Sequence, residues 1–143
     1  MTGRSHDSEP QRYTGYLIRR AQQLHAAAWA RIVSTETSSV QYSIIVTLAR
    51  LGEASQRELC DEVDLDRSTI ADLLKRMERR GLLTRHRAAD DARRNTVTLS
   101  ERGRAEHQRL RPLAERVEQE LTDALPAADR SELRRLLLLL LDG

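Results

Sequence analysis

Apolar residues recur at helical spacing through most of this chain and alternate along one short stretch only. Over residues 13–33 the spacing predicts one long helix. Leu17, Leu24, Ala28 and Ile32 lie along a stripe, with Ile18, Ala21, His25 and Trp29 beside it. A second helix over about 39–51 carries Tyr42, Ile45, Val46 and Leu48 and stops before Gly52. Ser55-Gln56-Arg57-Glu58 is a capping box, in which the serine oxygen and the glutamate carboxylate each satisfy a backbone N–H that a helix start leaves unpaired. It predicts a short helix to about Glu62, with Leu59 and Val63 facing inward. Asp66 suits a second N-cap, because its carboxylate accepts from free N–H groups at the positive end of the helix dipole. The helix it opens, over about 67–80, puts Ile70, Leu73, Leu74 and Met77 on one stripe. Its other side carries Arg67, Ser68, Thr69, Asp72, Lys75, Arg76 and Arg79. Gly81 fits the position just past its end.

After Gly81 the period shortens. Residues 82–87 partly alternate, and residues 95–99 alternate with Val97 and Leu99 on one face. The polar run 88–94 between them predicts the loop of a hairpin. Ser100 caps a further helix to about Leu125, with Leu110, Leu113, Val117, Leu121 and Leu125 on one seam and Pro112 as a candidate kink. Pro126 opens the last helix, whose Leu133 and six consecutive leucines at 136–141 make it apolar nearly all round. A helix apolar on every side must be covered. In a chain of 143 residues the matching helices of a second copy are the expected cover, with the N-terminal helix joining in.

The order helix, turn, arginine-bearing helix and hairpin predicts a winged helix-turn-helix within a mainly α protein of the α+β class. Residues 37–100 form the winged domain. Residues 13–36 and 101–143 form a helical dimerisation base. Residues 1–12 are polar and predict a flexible N-terminus.

Charge sharpens this picture. Residues 67–104 hold eleven Arg or Lys and five Asp or Glu, a local net of +6, while the whole chain is +2, so the remainder sums to −4. A basic block in an otherwise acidic protein is the footprint of nucleic-acid binding, whereas charges on a merely solvated face need not segregate. Hydrophobic residues make up 39% and aromatics 3%, which is lean for a monomer with a large core. The longest apolar run, six leucines, falls short of the ~20 residues that span a bilayer, so no membrane partner is expected. No signal peptide is visible at Met1-Thr2-Gly3-Arg4, which predicts a cytoplasmic protein.

Enzyme chemistry finds little support. His6, His25, His86 and His107 are scattered, with no metal-ligand spacing. There is no phosphate loop and no nucleophile elbow. Neither a catalytic residue, a metal nor a cofactor is expected. The single cysteine, Cys60, has no internal disulfide partner and reads as a small core residue.

Residues 13–141 resemble the MarR family of bacterial transcription regulators. The resemblance is carried by Leu65-Asp66-Arg67-Ser68-Thr69, by Leu74 to Arg76, and by Glu78-Arg79-Arg80-Gly81-Leu82. It continues in Asp91-Ala92-Arg93 and in Val97-Thr98-Leu99-Ser100-Glu101-Arg102-Gly103. It implies a homodimer binding a palindromic operator in double-stranded DNA, often released by a small ligand. Gln56 and Arg57 would then sit near the phosphate backbone. Arg67, Ser68, Thr69, Asp72 and Arg76 would face the major groove, where Arg can read guanine bidentately. Lys75 would contact phosphate. Asp72 has a second reading, as an i,i+4 partner of Arg76. In the wing, Asp91 would orient Arg93 toward the minor groove or its flanking phosphates, with Arg94 as an extra charge.

The same resemblance places effector pockets between the dimerisation helices and the winged domain. Arg19, His25 and Trp29 are the candidate ligand-binding residues, for an aromatic carboxylate or phenol. A guanidinium grips the acid, an aromatic ring flanks the ligand and an imidazole meets a hydroxyl. A tryptophan such as Trp29 is more often core than pocket, and Arg19 reads also as a surface charge or an ion-pair partner to acids near the C-terminus. The resulting expectation is a repressor released by ligand. Two other readings are a constitutive DNA-binding protein without effector and a protein-interaction module built on the winged fold.

Overall fold

Side-chain oxygens mark the helix starts of the winged region. Ser38 and Ser55 each form both halves of a capping box, with Gln41 and Glu58 respectively, and Asp66 and Ser100 accept from the backbone N–H three residues on. The computed structural model describes residues 9–88 and 91–143, the side chains of residues 87–95 excepted. Within them a 3-10 turn at Glu9–Arg12 precedes α1 (Thr14–Ile32), α2 (Ser39–Leu51), β1 (Glu53–Ser55), α3 (Gln56–Val63) and α4 (Arg67–Arg79). Then come β2 (Leu83–Ala88), β3 (Asp91–Leu99), α5 (Glu101–Thr122) and α6 (Ala127–Asp142). The N-terminus expected to be flexible lies outside the described residues up to Ser8, and its remainder, Glu9–Arg12, is that turn.

Helices α3 and α4 meet at Asp64, which takes the left-handed conformation (φ 54°) and lets the chain reverse between them. Gly81, at φ 74°, ends α4 as expected. The sheet is antiparallel with order β1-β3-β2, so β3 is central. Ala54 pairs with Val97, Arg85 pairs with Val97 from the other side, and Leu83 pairs with Leu99.

The structure corrects four expectations. β1 is a third strand that sequence pattern did not show. Residues 91–94, expected in a loop, belong to β3, and residue 88 ends β2. Helix α5 runs through Pro112 and ends at Thr122 rather than near Leu125. Pro112 is exposed, so the hydrogen bond its missing N–H removes lies on the solvent side of the helix. On α2, Ile44 is fully buried whereas Val46 turns outward.

One core lies under the winged region. Ile44, Ile45 and Leu48 of α2 meet Leu59 of α3, Ile70, Leu74 and Met77 of α4, and Val97 of β3. Each such aliphatic side chain contributes about 1.5–3 kcal/mol when fully buried. Cys60 and Leu73 pack on its edge. A smaller cluster of Ala28, Trp29 and Val117 joins α1 to α5, assisted by an Arg31–Glu120 ion pair. Helix α6 has no buried residue. Five of its leucines (Leu133, Leu136, Leu137, Leu139 and Leu140), with Leu17, Leu24, His25 and Leu121, line an open apolar cleft of about 880 Å³.

Candidate nucleic-acid interface

The arginine-bearing helix is built to present its N-terminal half. Its buried stripe seats it on the core, so the opposite side, with Arg67, Ser68, Thr69, Asp72, Lys75, Arg76 and Arg79, is exposed. Asp66 fixes its first turn. One carboxylate oxygen accepts from the Thr69 N–H at 2.7 Å and the Ser68 hydroxyl at 2.8 Å. These bonds, the Thr69 backbone N–H foremost, hold the Asp66 carboxyl below the usual carboxylate range. The Ser68 proton is therefore committed locally, and Ser68 offers a ligand its lone pairs.

Both readings of Asp72 meet at one place. Asp72 and Arg76 form an i,i+4 ion pair at 3.2 Å, and both are more than half exposed. Such a pair is worth only about 0.3–0.5 kcal/mol, so a phosphate or base can displace Asp72 from Arg76 at small cost. Arg57 is exposed and Gln56 half-buried on the first turn of α3. Arg50 of α2 bonds Glu62 of α3 at 2.7 Å, bracing that helix. Asp91, Arg93 and Arg94 have side chains outside those described; their backbone lies in β3.

Behind α4 the chain is locked in two places. The Ser100 N–H donates to the Leu82 carbonyl at 3.0 Å, the Ser100 hydroxyl donates to the Gly81 carbonyl, and Gly103 of α5 lies flat against Leu82. A Cβ on Gly103 would lie far inside van der Waals contact distance of the Leu82 carbonyl oxygen. The second lock is Arg80, directly after α4. Its guanidinium donates to the Thr37 hydroxyl at 2.9 Å and the Glu36 carbonyl at 3.1 Å. Arg85 of β2 reaches Glu78 at 3.5 Å, tying the wing to the same end of the helix.

Of the candidate effector residues, the structure brings two together. Trp29 is buried, 6.2 Å from the His25 ring and 5.5 Å from Tyr42, and Tyr42 lies 6.4 Å from His107. The Trp29 indole N–H donates to the Thr37 carbonyl at 2.8 Å. Burial, opposed by Arg111 and reinforced by Glu115, pushes the Tyr42 hydroxyl pKa up. Arg19 is exposed and stacks on Tyr16, 5.5 Å above its ring, outside this cluster. His107 was not singled out from sequence, although it stands three residues before Leu110 on the seam of α5. Among the described residues no cluster of His, Cys, Asp or Glu is arranged to hold a metal, and no helix is long and apolar enough to cross a membrane.

A three-stranded wing beside two capped helices, the second presenting a basic face, defines a winged helix-turn-helix protein. Residues 35–94 match the profile described as MarR family. The PcaV transcriptional regulator of Streptomyces coelicolor, solved with its natural ligand, is 34% identical, with a TM-score of 0.88 over 100% of this chain and 99% of its own. BpsR of Bordetella bronchiseptica, described for regulation of its DNA binding by 6-hydroxynicotinic acid, is 28% identical (TM-score 0.82, 88% of this chain and 96% of its own). The transcriptional repressor CouR, bound to a 23-mer DNA duplex, is 27% identical (TM-score 0.85, 93% and 95%). The chain belongs to the MarR family of transcription regulators.

Proposed function

We propose that this chain is a homodimeric repressor that binds a palindromic operator and is released by an aromatic carboxylate or phenol. The observation that carries the DNA reading is the exposed basic face of α4, held from behind by a sealed core. CouR, a relative of similar fold, is bound to a DNA duplex. Two such faces about 34 Å apart would match successive major-groove turns. The dimer reading rests on α6 and α1, whose leucines line a cleft with no covering element among the described residues.

Arg67 is assigned to base reading, with Ser68, Thr69 and Arg76 beside it. Gln56, Arg57 and Lys75 are assigned to phosphate, and Arg93, aided by Asp91 and Arg94, to the wing contact. The effector reading rests on the His25–Trp29–Tyr42–His107 cluster and on the relatives PcaV and BpsR, which take small ligands. Arg19 would reach a ligand carboxylate there only by leaving Tyr16. A ligand releases DNA only by its difference in affinity for the two forms of the dimer. One observation favours an effector-free protein instead: the Trp29 indole is already satisfied by Thr37, as a core residue's would be.

The test is a gel-shift titration on the DNA upstream of the chain's own gene, at two salt concentrations, with 4-hydroxybenzoate, 3,4-dihydroxybenzoate and 6-hydroxynicotinate. Selective, salt-sensitive binding released by one compound supports the whole reading. Selective binding that none disturbs supports the effector-free one. Arg67→Ala should cost about 1–3 kcal/mol and relax selectivity at one position, while Lys75→Ala should weaken all sequences alike. If neither alters binding, α4 does not enter the groove.

A further inference from the structure

Thr37 lies in the connection between α1 and α2, is fully buried, and is used by three elements at once. Its carbonyl accepts from the Trp29 indole of α1 at 2.8 Å. Its hydroxyl accepts from Arg80 at 2.9 Å, and lies 3.4 Å from the Glu106 carboxylate of α5, to which it donates. Arg80 also donates to the Glu36 carbonyl at 3.1 Å and approaches the Gln41 side-chain oxygen at 3.5 Å. Glu106 is in turn held ionised by the Arg109 hydrogen bond, against partial burial, with help from Arg80 and Thr37.

We propose that Thr37 and Arg80 are positioning residues for operator binding, setting the angle of the recognition helix α4 against the dimerisation helices α1 and α5. Arg80 follows α4 directly, so its guanidinium fixes the helix end farther from the basic N-terminal half. A small rotation about that end is amplified at Arg67, twelve residues, or about 18 Å of helix, away. The donors and acceptors are directional: a planar guanidinium with two of its N–H donor directions occupied tolerates little rotation. Hydrophobic contacts under α4 hold it to the winged core but specify no angle relative to α1. Movement of Trp29 would pull on the same carbonyl, so the junction joins the aromatic cluster to the DNA face.

The inference rests on the reading of a homodimer on a palindrome and separates from it in one experiment. Thr37→Val keeps the shape and removes the hydroxyl; Arg80→Lys keeps the charge and removes the fork. Each is titrated by fluorescence anisotropy on the footprinted palindrome and on a duplex with one half-site, and its Tm is measured. Each variant should lose about tenfold on the palindrome and less than twofold on the half-site. The double variant should lose about tenfold rather than the hundredfold of independent sites, because both substitutions break one junction. Equal losses on both duplexes, tracking a lower Tm, would reduce the junction to a fold support and overturn the inference. Unchanged palindrome binding in a folded variant overturns it too. If Thr37→Val does not fold, Arg80→Lys decides alone. A wild-type protein that does not prefer the palindrome removes the operator reading, and this inference with it.

Discussion

Helix α4 buries Ile70, Leu74 and Met77 completely within thirteen residues, whereas α6 carries seven leucines in sixteen residues and buries none. The α4 stripe repeats every three or four residues and meets a single core, so one chain is enough to cover it. The α6 leucines run consecutively around the helix, and α1 offers only a short exposed stripe of Leu17, Ile18, Ala21 and Leu24 nearby. One region is therefore completed within the protomer, and the other has apolar surface that one protomer does not close. Apolar content alone does not tell a finished core from an unfinished one; periodicity against the available partners does.

Substitutions in the two regions should behave differently. Leu74→Ala should cost about 2–5 kcal/mol, from lost transfer energy and the cavity left in the winged core. Urea melts should show that loss at every protein concentration. On the proposed homodimer, Leu137→Asp should by contrast leave the far-UV circular dichroism of the winged region intact and shift the sedimenting species from dimer to monomer. The expected weakening of association is at least about 3 kcal/mol, since a carboxylate would be buried unpaired at the seam. A dimer that survives it places the seam elsewhere. Gly103→Ala tests the join between the regions. Its methyl group meets a backbone carbonyl that cannot turn aside, so a loss of about 1–3 kcal/mol is expected by thermal melt, with α5 displaced from Leu82.

Ser55→Ala removes the first-turn cap of α3 and should cost about 1 kcal/mol, confined to the winged region in hydrogen exchange. The smallest effect is expected at Glu106. Its folded pKa is lowered, chiefly by the Arg109 hydrogen bond, below the ordinary glutamate value of 4.5. Its contribution is thus fully present above pH 4.5 and is lost as pH falls below that, through the folded value. Glu106→Gln should remove this small contribution at neutral pH, leave stability at low pH nearly unchanged, and so flatten the acid arm of the stability curve. An identical acid arm in the variant assigns the loss to other carboxylates.

Much of the winged region was legible because its signals are local. As helix caps and stops, Ser55-x-x-Glu58, Asp66, Gly81 and Ser100 each act within four residues of themselves, and each does in the structure what its type predicts. The 3-1-3 spacing of Ile70, Leu73, Leu74 and Met77 found the buried side of α4. What escaped depends on distant partners. Glu53-Ala54-Ser55 is too short to alternate and becomes a strand by pairing with residues 96–98. Residues 91–94 are mostly charged, yet the hairpin ladder extends through their backbone, which needs no apolar side chain. In the run Ile44-Ile45-Val46 three apolar neighbours leave the inward face undecided, and packing against α3 and α4 decides it. The α4 residues assigned to DNA are all exposed. The effector assignment fared less evenly: His25 and Trp29 converge, Arg19 turns away, and His107, Thr37 and Arg80 join only through folding.

Ser55 is at once the last residue of β1 and the cap of α3, and Gly52 ends α2 one residue before β1 begins. From residue 52 to residue 66 the chain therefore has no slack. One extra residue inserted in β1 would flip Ala54 from the core to the surface or carry Ser55 off its helix. Length variation among descendants of this sequence should avoid that stretch.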